Sequence, residues 1–294
     1  LEKAIAFNHD GKLLASASDD ETIKLWNVAT GECIYTFVTQ TDLITSVAFS
    51  PNDKVVANGS YHGKVKLWNI ATGKCIHTFE GHIAWIGSIA FSPDSMILAT
   101  GSMDRTLKLW NISTGECFHS LQENINWELS LAFSPDSKML ASGCDTRILR
   151  LWNVATGECI YSFKGHTHTI MSIAFSPSGE TLASCSDDKT VKLWSITTKK
   201  CLYSLEGHTR GIRTIAFSPD GKMLVSGGDD KTVKLWNVAT GECIHTFDGH
   251  TNSIYSVIFD SDSKTAISCS QDMAIKYWDI TTGECLKTLE RDRP

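Results

Sequence analysis

The sequence predicts an all-β protein, a seven-bladed β-propeller with four antiparallel strands in each blade. The chain has 294 residues, which is seven times 42, and marker residues recur at that interval without insertion or deletion. A fixed period of this size indicates a repeat architecture rather than two unrelated domains. The recurring residues are the tryptophans Trp26, Trp68, Trp110, Trp152, Trp194, Trp236 and Trp278, and the cysteines Cys33, Cys75, Cys117, Cys159, Cys201, Cys243 and Cys285.

Each repeat contains four short strand-like segments separated by turn residues. In the cleanest copy, residues 211–252, the alternating segment GIRTIAFS is followed by Pro219, Asp220 and Gly221, which favour a turn. Three more segments follow, KMLVSGG, TVKLWN and ECIHTF, and the turn residues DDK and ATGE separate them. We name the four strands of a blade a to d in chain order. Seven repeats therefore give 28 strands and no helix.

Radial stacking explains how such repeats bury their apolar faces. One four-stranded unit cannot bury both faces alone, whereas seven stacked units bury them and leave only short edges. An open β-solenoid is the alternative, but solenoids usually carry atypical capping repeats, and neither end of this chain resembles one. The chain begins in a strand a and ends after a strand d, so we expect each blade to be continuous in sequence, without strand exchange at closure. The predicted domain spans 1–294, with blades at approximately 1–42, 43–84, 85–126, 127–168, 169–210, 211–252 and 253–294.

Composition excludes several classes of function. The net charge is −6, without a block of lysine or arginine, so we expect no nucleic-acid partner. No apolar run approaches the roughly 20 residues that span a bilayer, so we expect no membrane contact. The ten cysteines lack CxxC spacing, and we predict no metal and no cofactor. We expect buried, reduced thiols and a cytoplasmic location.

The motifs GH, SPDGK and SGGDDKTVKLWN resemble the WD-repeat family across essentially the whole chain. The Trp-Asp pair itself occurs only at Trp278-Asp279; five repeats have Trp-Asn and one has Trp194-Ser195. The near-identical repeats, with NVATGECI in three blades, are similar to bacterial, especially cyanobacterial, WD-repeat arrays. The resemblance implies a non-catalytic protein–protein interaction scaffold, which we expect to be the sensor or binding module of a larger protein.

The resemblance also implies a hydrogen-bonded chain within each blade, whose members are the GH histidine, a strand-b serine or threonine, the turn aspartate and the tryptophan. Blade 2 departs from it with Gln40, Asn58 and His62, and blade 4 with Asn124 and Thr146. The four complete sets are His82/Thr100/Asp104/Trp110, His166/Ser184/Asp188/Trp194, His208/Ser226/Asp230/Trp236 and His250/Ser268/Asp272/Trp278.

Serine, histidine and aspartate together also occur in hydrolases. Four copies of one active site are not expected, and a hydroxyl bonded to a buried indole N–H is already engaged. We therefore interpret the sets as structural and predict no catalytic residue and no enzyme activity. The alternatives are a propeller-based enzyme, which needs a one-off acid/base cluster, and a carbohydrate-binding propeller, which needs one aromatic site repeated in every blade.

Partner binding is predicted on the top face, formed by the b–c turns and the loops between blades. Aromatic residues and methionine are enriched in interface cores, so the positions where one blade differs from its siblings indicate a protein or peptide site. Alternatively, the tryptophans only plug the central mouth or pack on neighbouring loops. A monomer is expected. The candidate residues are Tyr61, His62, Trp85, Met103, Trp127 and Leu129, with Arg105 and Arg147 as a rim.

A second, basic group lies on blades 5 and 6. It consists of Arg210, Arg213 and Lys231 with Lys189, and it suits an acidic or phosphorylated peptide. Mixed, solvated charge is the alternative interpretation, because three carboxylates lie among these residues: Asp187, Asp229 and Asp230.

Overall fold

The computed structural model describes residues 2–9, 11–18, 20–39, 43–122, 128–260 and 262–290. Every regular element within these ranges is a β-strand. The strands form seven four-stranded sheets, and each sheet contains four strands that are consecutive in the chain. This confirms the predicted fold class, an all-β, seven-bladed β-propeller with antiparallel, sequence-continuous blades.

The strands are numbered in chain order, four to a blade. Blades 1 to 4 contain β1 (Glu2–Phe7), β2 (Leu13–Ser18), β3 (Thr22–Asn27), β4 (Cys33–Val38), β5 (Ile44–Phe49), β6 (Val55–Ser60), β7 (Val65–Asn69), β8 (Cys75–Phe79), β9 (Ile86–Phe91), β10 (Ile97–Ser102), β11 (Thr106–Asn111), β12 (Cys117–Gln122), β13 (Glu128–Phe133), β14 (Met139–Cys144), β15 (Ile148–Asn153) and β16 (Cys159–Lys164). Blades 5 to 7 contain β17 (Ile170–Phe175), β18 (Thr181–Ser186), β19 (Val191–Ser195), β20 (Cys201–Leu205), β21 (Ile212–Phe217), β22 (Met223–Gly228), β23 (Val233–Asn237), β24 (Cys243–Phe247), β25 (Ile254–Phe259), β26 (Thr265–Ser270), β27 (Ala274–Asp279) and β28 (Cys285–Glu290).

The chain divides into two compact units. The first comprises Leu1–Ser142 and Leu151–Ile160, and the second comprises Gly143–Arg150 and Tyr161–Pro294. Blades 1 to 3 belong to the first unit and blades 5 to 7 to the second, while blade 4 contributes residues to both. The assignment of 1–294 to a single domain stays a prediction.

Within each unit, apolar side chains of one blade pack against the next blade. In the first unit, Ile23 and Phe37 of blade 1 share a buried cluster with Ile44 and Trp68 of blade 2. In the second unit, the same kind of cluster joins blades 5 and 6 and places Trp236, which is 1% exposed, against residues of blade 5. The tryptophan period therefore reflects the packing of one sheet on another.

Small residues in strand b let the next blade approach closely. A Cβ atom on Gly59 would lie 2.5 Å from Cγ2 of Ile86, and one on Gly227 would lie 2.5 Å from Cγ2 of Ile254. Blade 5 has Cys185 at this position, fully buried, and its thiol donates a hydrogen bond to a carbonyl of blade 6. Because burial raises the pKa of the Cys185 thiol, it stays protonated.

The periodic cysteines correct the expectation of buried thiols. All ten cysteines are free, but the seven periodic ones are exposed; only Cys144 and Cys185 are buried, and Cys269 is half-buried. Each periodic cysteine begins strand d, which is the last strand in its sheet and is covered by a neighbouring strand on one side only. The exposed cysteines are Cys33, Cys75, Cys117, Cys159, Cys201, Cys243 and Cys285.

Thiol titration tests this arrangement. With a chromogenic aromatic disulfide reagent, we expect seven thiols of the native protein to react promptly, whereas Cys144 and Cys185 react only after unfolding. Among the seven, Cys117 and Cys201 should react more slowly, because partial burial raises the pKa of each thiol. Titration in denaturant gives the full count as a control. A native protein in which most thiols are protected would contradict the exposed positions.

Candidate functional site

A chain of hydrogen bonds crosses blade 6 from its core to its b–c turn. Nε1 of Trp236 lies 2.8 Å from Oγ of Ser226, and this oxygen lies 2.8 Å from Nε2 of His208. Nδ1 of His208 lies 2.9 Å from Oδ2 of Asp230. The indole N–H can only donate, so the serine oxygen accepts from it. The carboxylate of Asp230 accepts the hydrogen bond from Nδ1 of His208.

The carboxylate of Asp230 also closes the turn and the preceding loop. It accepts hydrogen bonds from the Thr209 N–H at 2.8 Å and from the Thr232 N–H at 3.2 Å. Burial by itself would raise the pKa of Asp230, but the hydrogen bonds from His208, Thr209 and Thr232 outweigh it and hold this pKa well below its usual range. Asp230 therefore remains ionised, and it ties the loop between blades 5 and 6 to the b–c turn.

The other three predicted sets have the same geometry at their hydroxyl groups, which belong to Thr100, Ser184 and Ser268. Each hydroxyl oxygen lies 2.8 Å from the indole nitrogen of its own blade, and these nitrogens belong to Trp110, Trp194 and Trp278. Each also lies 2.8 Å from Nε2 of the histidine in its set. The imidazole-to-carboxylate distances are 2.8 Å for His82–Asp104, 2.7 Å for His166–Asp188 and 2.9 Å for His250–Asp272.

Burial separates these hydroxyls from any surface site. Thr100, Ser184 and Ser268 are each 0% exposed, and so is Ser226. None of the four hydroxyls belongs to the residues that line the cavity described below. The protein encloses all four of these hydroxyl groups in this structure.

A threonine that the sequence reasoning missed belongs to three of these chains. Oγ1 of Thr106, Thr190 and Thr232 lies 2.6, 2.6 and 2.9 Å from Oδ1 of the aspartate two residues earlier. Blade 7 has Ala274 at this position and lacks the contact. The recurrent spacing of aspartate and threonine, as in DKT, is the signal that could have revealed it.

Blades that lack the full set still satisfy the indole N–H. Trp26 donates to Ser16 at 2.9 Å, and Trp152 donates to Ser142 at 3.0 Å. In blade 2, the Trp68 indole donates to the amide oxygen of Asn58 at 2.8 Å. Oγ1 of Thr146 lies 2.7 Å from the sulfur of Cys144, and His62 is exposed on the surface. Gln40 and Asn124 lie outside the described residues.

Several predicted partner-binding residues of the first unit form a contiguous surface group, in which Tyr61, His62 and Met103 are exposed and Trp85 is half-buried. Tyr61 is 51% exposed and stacks on Trp85, with ring centroids 6.3 Å apart and 23° between the planes. The ring of His62 stands nearly perpendicular to Tyr61 at 5.4 Å. Met103 is 39% exposed, and its N–H donates to the Trp85 carbonyl at 2.9 Å. We call Tyr61, His62, Trp85 and Met103 the aromatic patch.

The backbone holds the aromatic patch in place. The Tyr61 N–H donates to the Leu43 carbonyl at 2.9 Å. Gly63, at the end of the same turn, has φ +83°, and a Cβ there would lie 2.5 Å from the His82 carbonyl oxygen. The turn carrying Tyr61 therefore packs directly on the loop that leads to Trp85, and only glycine permits this approach.

The remaining predicted surface residues are placed as follows. Arg105 and Arg147 are exposed, and both occupy the left-handed position of their b–c turns, with φ 69° and 67°. Trp127 lies outside the described residues, and so does the side chain of Leu129. The extension of the aromatic patch to blade 4 stays a prediction.

The second unit has an open cavity at the same kind of top-face position. Its volume is about 630 Å³. Nε of Arg213 lies 2.9 Å from Oδ2 of Asp229, Nη2 bonds the same oxygen, and Nη1 lies 3.5 Å from Oδ1 of Asp187. The two arginines of this cavity belong to the basic group predicted from the sequence, whereas Tyr255 and Gln271 were not predicted to join them. Gln271 occupies the register of Tyr61 and Met103. The lining residues are Met171, Arg210, Arg213, Asp229, Ser253, Tyr255 and Gln271.

Two further structural findings concern metals and membranes. The described residues contain no group of three histidine, cysteine, aspartate or glutamate side chains arranged to hold a metal ion. Across the same residues, no helix is long and apolar enough to cross a bilayer.

Comparison with protein families supplies the identification. Seven tandem matches to the WD domain, G-beta repeat family cover residues 3–27, 31–69, 73–111, 115–153, 157–195, 199–237 and 241–279. The chain belongs to the WD-repeat family. Propellers of this family generally bind proteins or peptides and are typically non-catalytic.

Individual relatives agree with this assignment. A 43-residue segment is 37% identical to Periodic tryptophan protein 2 of Arabidopsis thaliana and covers 15% of this chain but 5% of that protein. The crystal structure of the computationally designed Ika8 protein matches with a TM-score of 0.86 at 30% sequence identity, over 98% of this chain and 86% of that chain. This WD-repeat chain therefore matches only a small part of the length of its curated relative.

Proposed function

We propose that this WD-repeat chain is a non-catalytic interaction scaffold and that its aromatic patch binds a partner protein or peptide. The observation that carries the proposal is the exposed ring of Tyr61, stacked on the half-buried Trp85 beside the exposed Met103. The register of Tyr61 holds aspartate or glutamine in most other blades, so an apolar surface at this register is specific to blades 2 and 3. Exposed, contiguous apolar groups of this kind mark interaction sites.

The four Ser/Thr-His-Asp sets support a non-catalytic role. The Ser226 hydroxyl is 0% exposed, and its oxygen accepts a hydrogen bond from the Trp236 indole. A nucleophile must reach its substrate, and a hydroxyl without exposed surface does not. The enzyme alternative therefore gains nothing from these residues. The sugar-binding alternative requires an aromatic pair in every blade, and the pair of Tyr61 and Trp85 stands at registers that hold non-aromatic residues in blades 5 and 6.

The proposal also includes a cellular setting, which the following observations support. Ten free thiols support a reducing compartment, the cytoplasm. The net charge of −6 supports a protein partner over nucleic acid. Repeats as uniform as these support a cyanobacterial-type array within a larger protein, acting as its sensor or binding module, and a monomeric state.

Substitution of Trp85 by threonine, the residue at this register in blade 5, tests the aromatic patch. Binding of the partner isolated with the intact chain should weaken by about 2 kcal/mol or more, roughly thirtyfold, because a buried tryptophan is the kind of residue that dominates interfaces. Tyr61→Asp, which introduces the residue found in blades 4 to 6, should also weaken binding of the partner. Isothermal titration calorimetry measures both.

The matched control is Ile83→Thr, which introduces the residue that blades 5 to 7 carry at this register. Ile83 is 87% exposed and lies two residues from Trp85 without belonging to the aromatic patch. Its replacement should leave affinity unchanged. A Trp85→Thr protein that unfolds at the same denaturant concentration as the original, yet binds the partner equally well, would exclude this site.

A further inference from the structure

We propose that the cavity of the second unit binds a carboxylate side chain of an acidic peptide with apolar neighbours. This inference rests on the proposed interaction function and adds a second contact, separate in sequence from the aromatic patch. It depends on which polar groups of the cavity already have partners and which do not.

The acidic groups of the cavity are already satisfied. Asp229 accepts hydrogen bonds from Arg213 and from the Ser253 hydroxyl. The hydrogen bond from Arg213 holds the pKa of Asp229 below its ordinary value, so this carboxylate is ionised and paired. Asp187 faces another nitrogen of Arg213 at 3.5 Å. Arg213 is therefore an anchored side chain, and a cationic ligand would have to compete with it for both carboxylates.

The groups without a hydrogen-bond partner are a guanidinium, which can only donate, and two side chains that can donate as well as accept. Arg210 is exposed, and its guanidinium makes no hydrogen bond or ion pair with any described residue, although five N–H groups are available. The hydroxyl of Tyr255, a residue that is 58% exposed, and the side-chain amide of Gln271 likewise have no hydrogen-bond partner in the described part of the chain. Arg210 lies close enough to Asp229 to help lower its pKa, but its N–H groups are not engaged in hydrogen bonds. A cavity with an arginine of this kind, beside further groups that can donate, matches an anionic acceptor.

The size and walls of the cavity indicate a peptide side chain with apolar neighbours. A volume of about 630 Å³ is within the range of ligand pockets. Met171, whose sulfur lies 3.7 Å from Nη1 of Arg213, and the ring of Tyr255 supply apolar surface. Because Asp187 and Asp229 stand beside the arginines, a singly charged carboxylate meets less repulsion than a doubly charged phosphate.

The pair of arginines occurs at the start of one blade, with Arg210 in the loop before blade 6 and Arg213 in the first strand of that blade. The register of Arg210 holds Ala84, His168 and Asn252 in other described blades, and the register of Arg213 holds Thr45, Gly87, Met171 and Tyr255. Two arginines at these registers therefore distinguish blade 6 from its siblings, and the sibling residues provide substitutions that the fold already accepts.

Fluorescence anisotropy with labelled peptides tests the inference on the full chain. The probe is a peptide of alternating leucine and glutamate, compared with the same peptide carrying glutamine, lysine or phosphoserine in place of glutamate. We expect the glutamate peptide to bind about tenfold or more tightly than the glutamine peptide, and the lysine peptide not to bind. Binding should weaken as salt is added.

Sibling residues supply the variants. Arg210→Asn, the residue of blade 7, and Tyr255→Thr, the residue of blade 2, should each weaken the glutamate peptide about tenfold. Lys222→Met, the residue of blade 3, removes the same charge from an exposed a–b turn and should have no effect. Unfolding midpoints equal to that of the original chain show that each variant is folded.

Several results would overturn the inference. These are equal binding of the glutamate and glutamine peptides, absence of binding by the glutamate peptide, or an Arg210→Asn protein that binds unchanged. Tighter binding of the phosphoserine peptide than of the glutamate peptide would mean that the cavity binds a phosphate group rather than a carboxylate. Trp85→Thr should not affect this assay, so its effect on the isolated partner and the effect of Arg210→Asn on the peptide report separately on the aromatic patch and on the cavity.

Discussion

Replacement of Ser226 by alanine is expected to lower the free energy of unfolding by about 2–4 kcal/mol. The hydroxyl satisfies two buried groups at once, the indole N–H of Trp236 and Nε2 of His208. Without it both groups stay buried and unpaired, and each such group costs about 1–3 kcal/mol. Urea unfolding followed by tryptophan fluorescence measures the loss.

Blade 4 provides the matched control. Among the described residues, the Ser142 side chain bonds only the indole of Trp152, at 3.0 Å. Ser142→Ala therefore leaves one group unpaired and should cost about half as much as Ser226→Ala. Equal losses in the two blades would mean that the link to the histidine contributes nothing to stability.

Replacement of Asp230 by asparagine is expected to cost about 2 kcal/mol near neutral pH, because hydrogen bonds to an ionised group are the stronger ones. Hydrogen bonds from His208, Thr209 and Thr232 outweigh the effect of burial and lower the pKa of Asp230 in the folded protein. The stability it contributes is therefore complete above the unfolded pKa of about 4 and is lost as the pH falls toward the folded value.

The difference between the original chain and Asp230→Asn should consequently shrink when urea unfolding is repeated at about pH 3. Asp248→Asn is the control, because Asp248 is exposed on the loop just before blade 7 and its replacement should change stability by less than about 0.5 kcal/mol. A difference for Asp230→Asn that stays constant between these pH values would show that its ionisation is not coupled to folding.

The strands and blades were predictable because the same pattern occurs seven times. Turn residues such as Pro219 and Gly221 mark the ends of strands, and the alternation between them marks which residues face a neighbouring sheet. Trp236 and five of its siblings are buried, as this alternation predicts, whereas Trp26 of blade 1 is half-buried. Local patterns suffice here because every strand pairs with the strand next to it in the chain.

Exposure of the periodic cysteines was not predictable from the same pattern. Cys243 is a small apolar residue in a strand, a combination that favours burial. Its exposure depends on strand d being the outer edge of each sheet and on the register shift opposite Trp236. Thr232 was missed for a similar reason, since its contact with Asp230 depends on the path of the turn rather than on residue type.

The pairing of the charged residues around the cavity was likewise not predictable from the sequence. Their mixed composition suggests a uniformly solvated surface. In the structure Arg213 is bound to Asp229 and faces Asp187, whereas Arg210 borders the cavity without an ion pair among the described residues. Side-chain geometry, which the sequence does not contain, decides which arginine is available.

Hydrogen–deuterium exchange of the chain with its isolated partner bound tests the central claim most directly. That claim is that recognition takes place on the aromatic patch, where blades 2 and 3 differ from their siblings. The account predicts slower exchange at residues 60–63, 83–87 and 102–105 when the partner is bound. Protection confined to the a–b turns, at residues 50–55 and 92–97, with the aromatic patch unchanged, would contradict it.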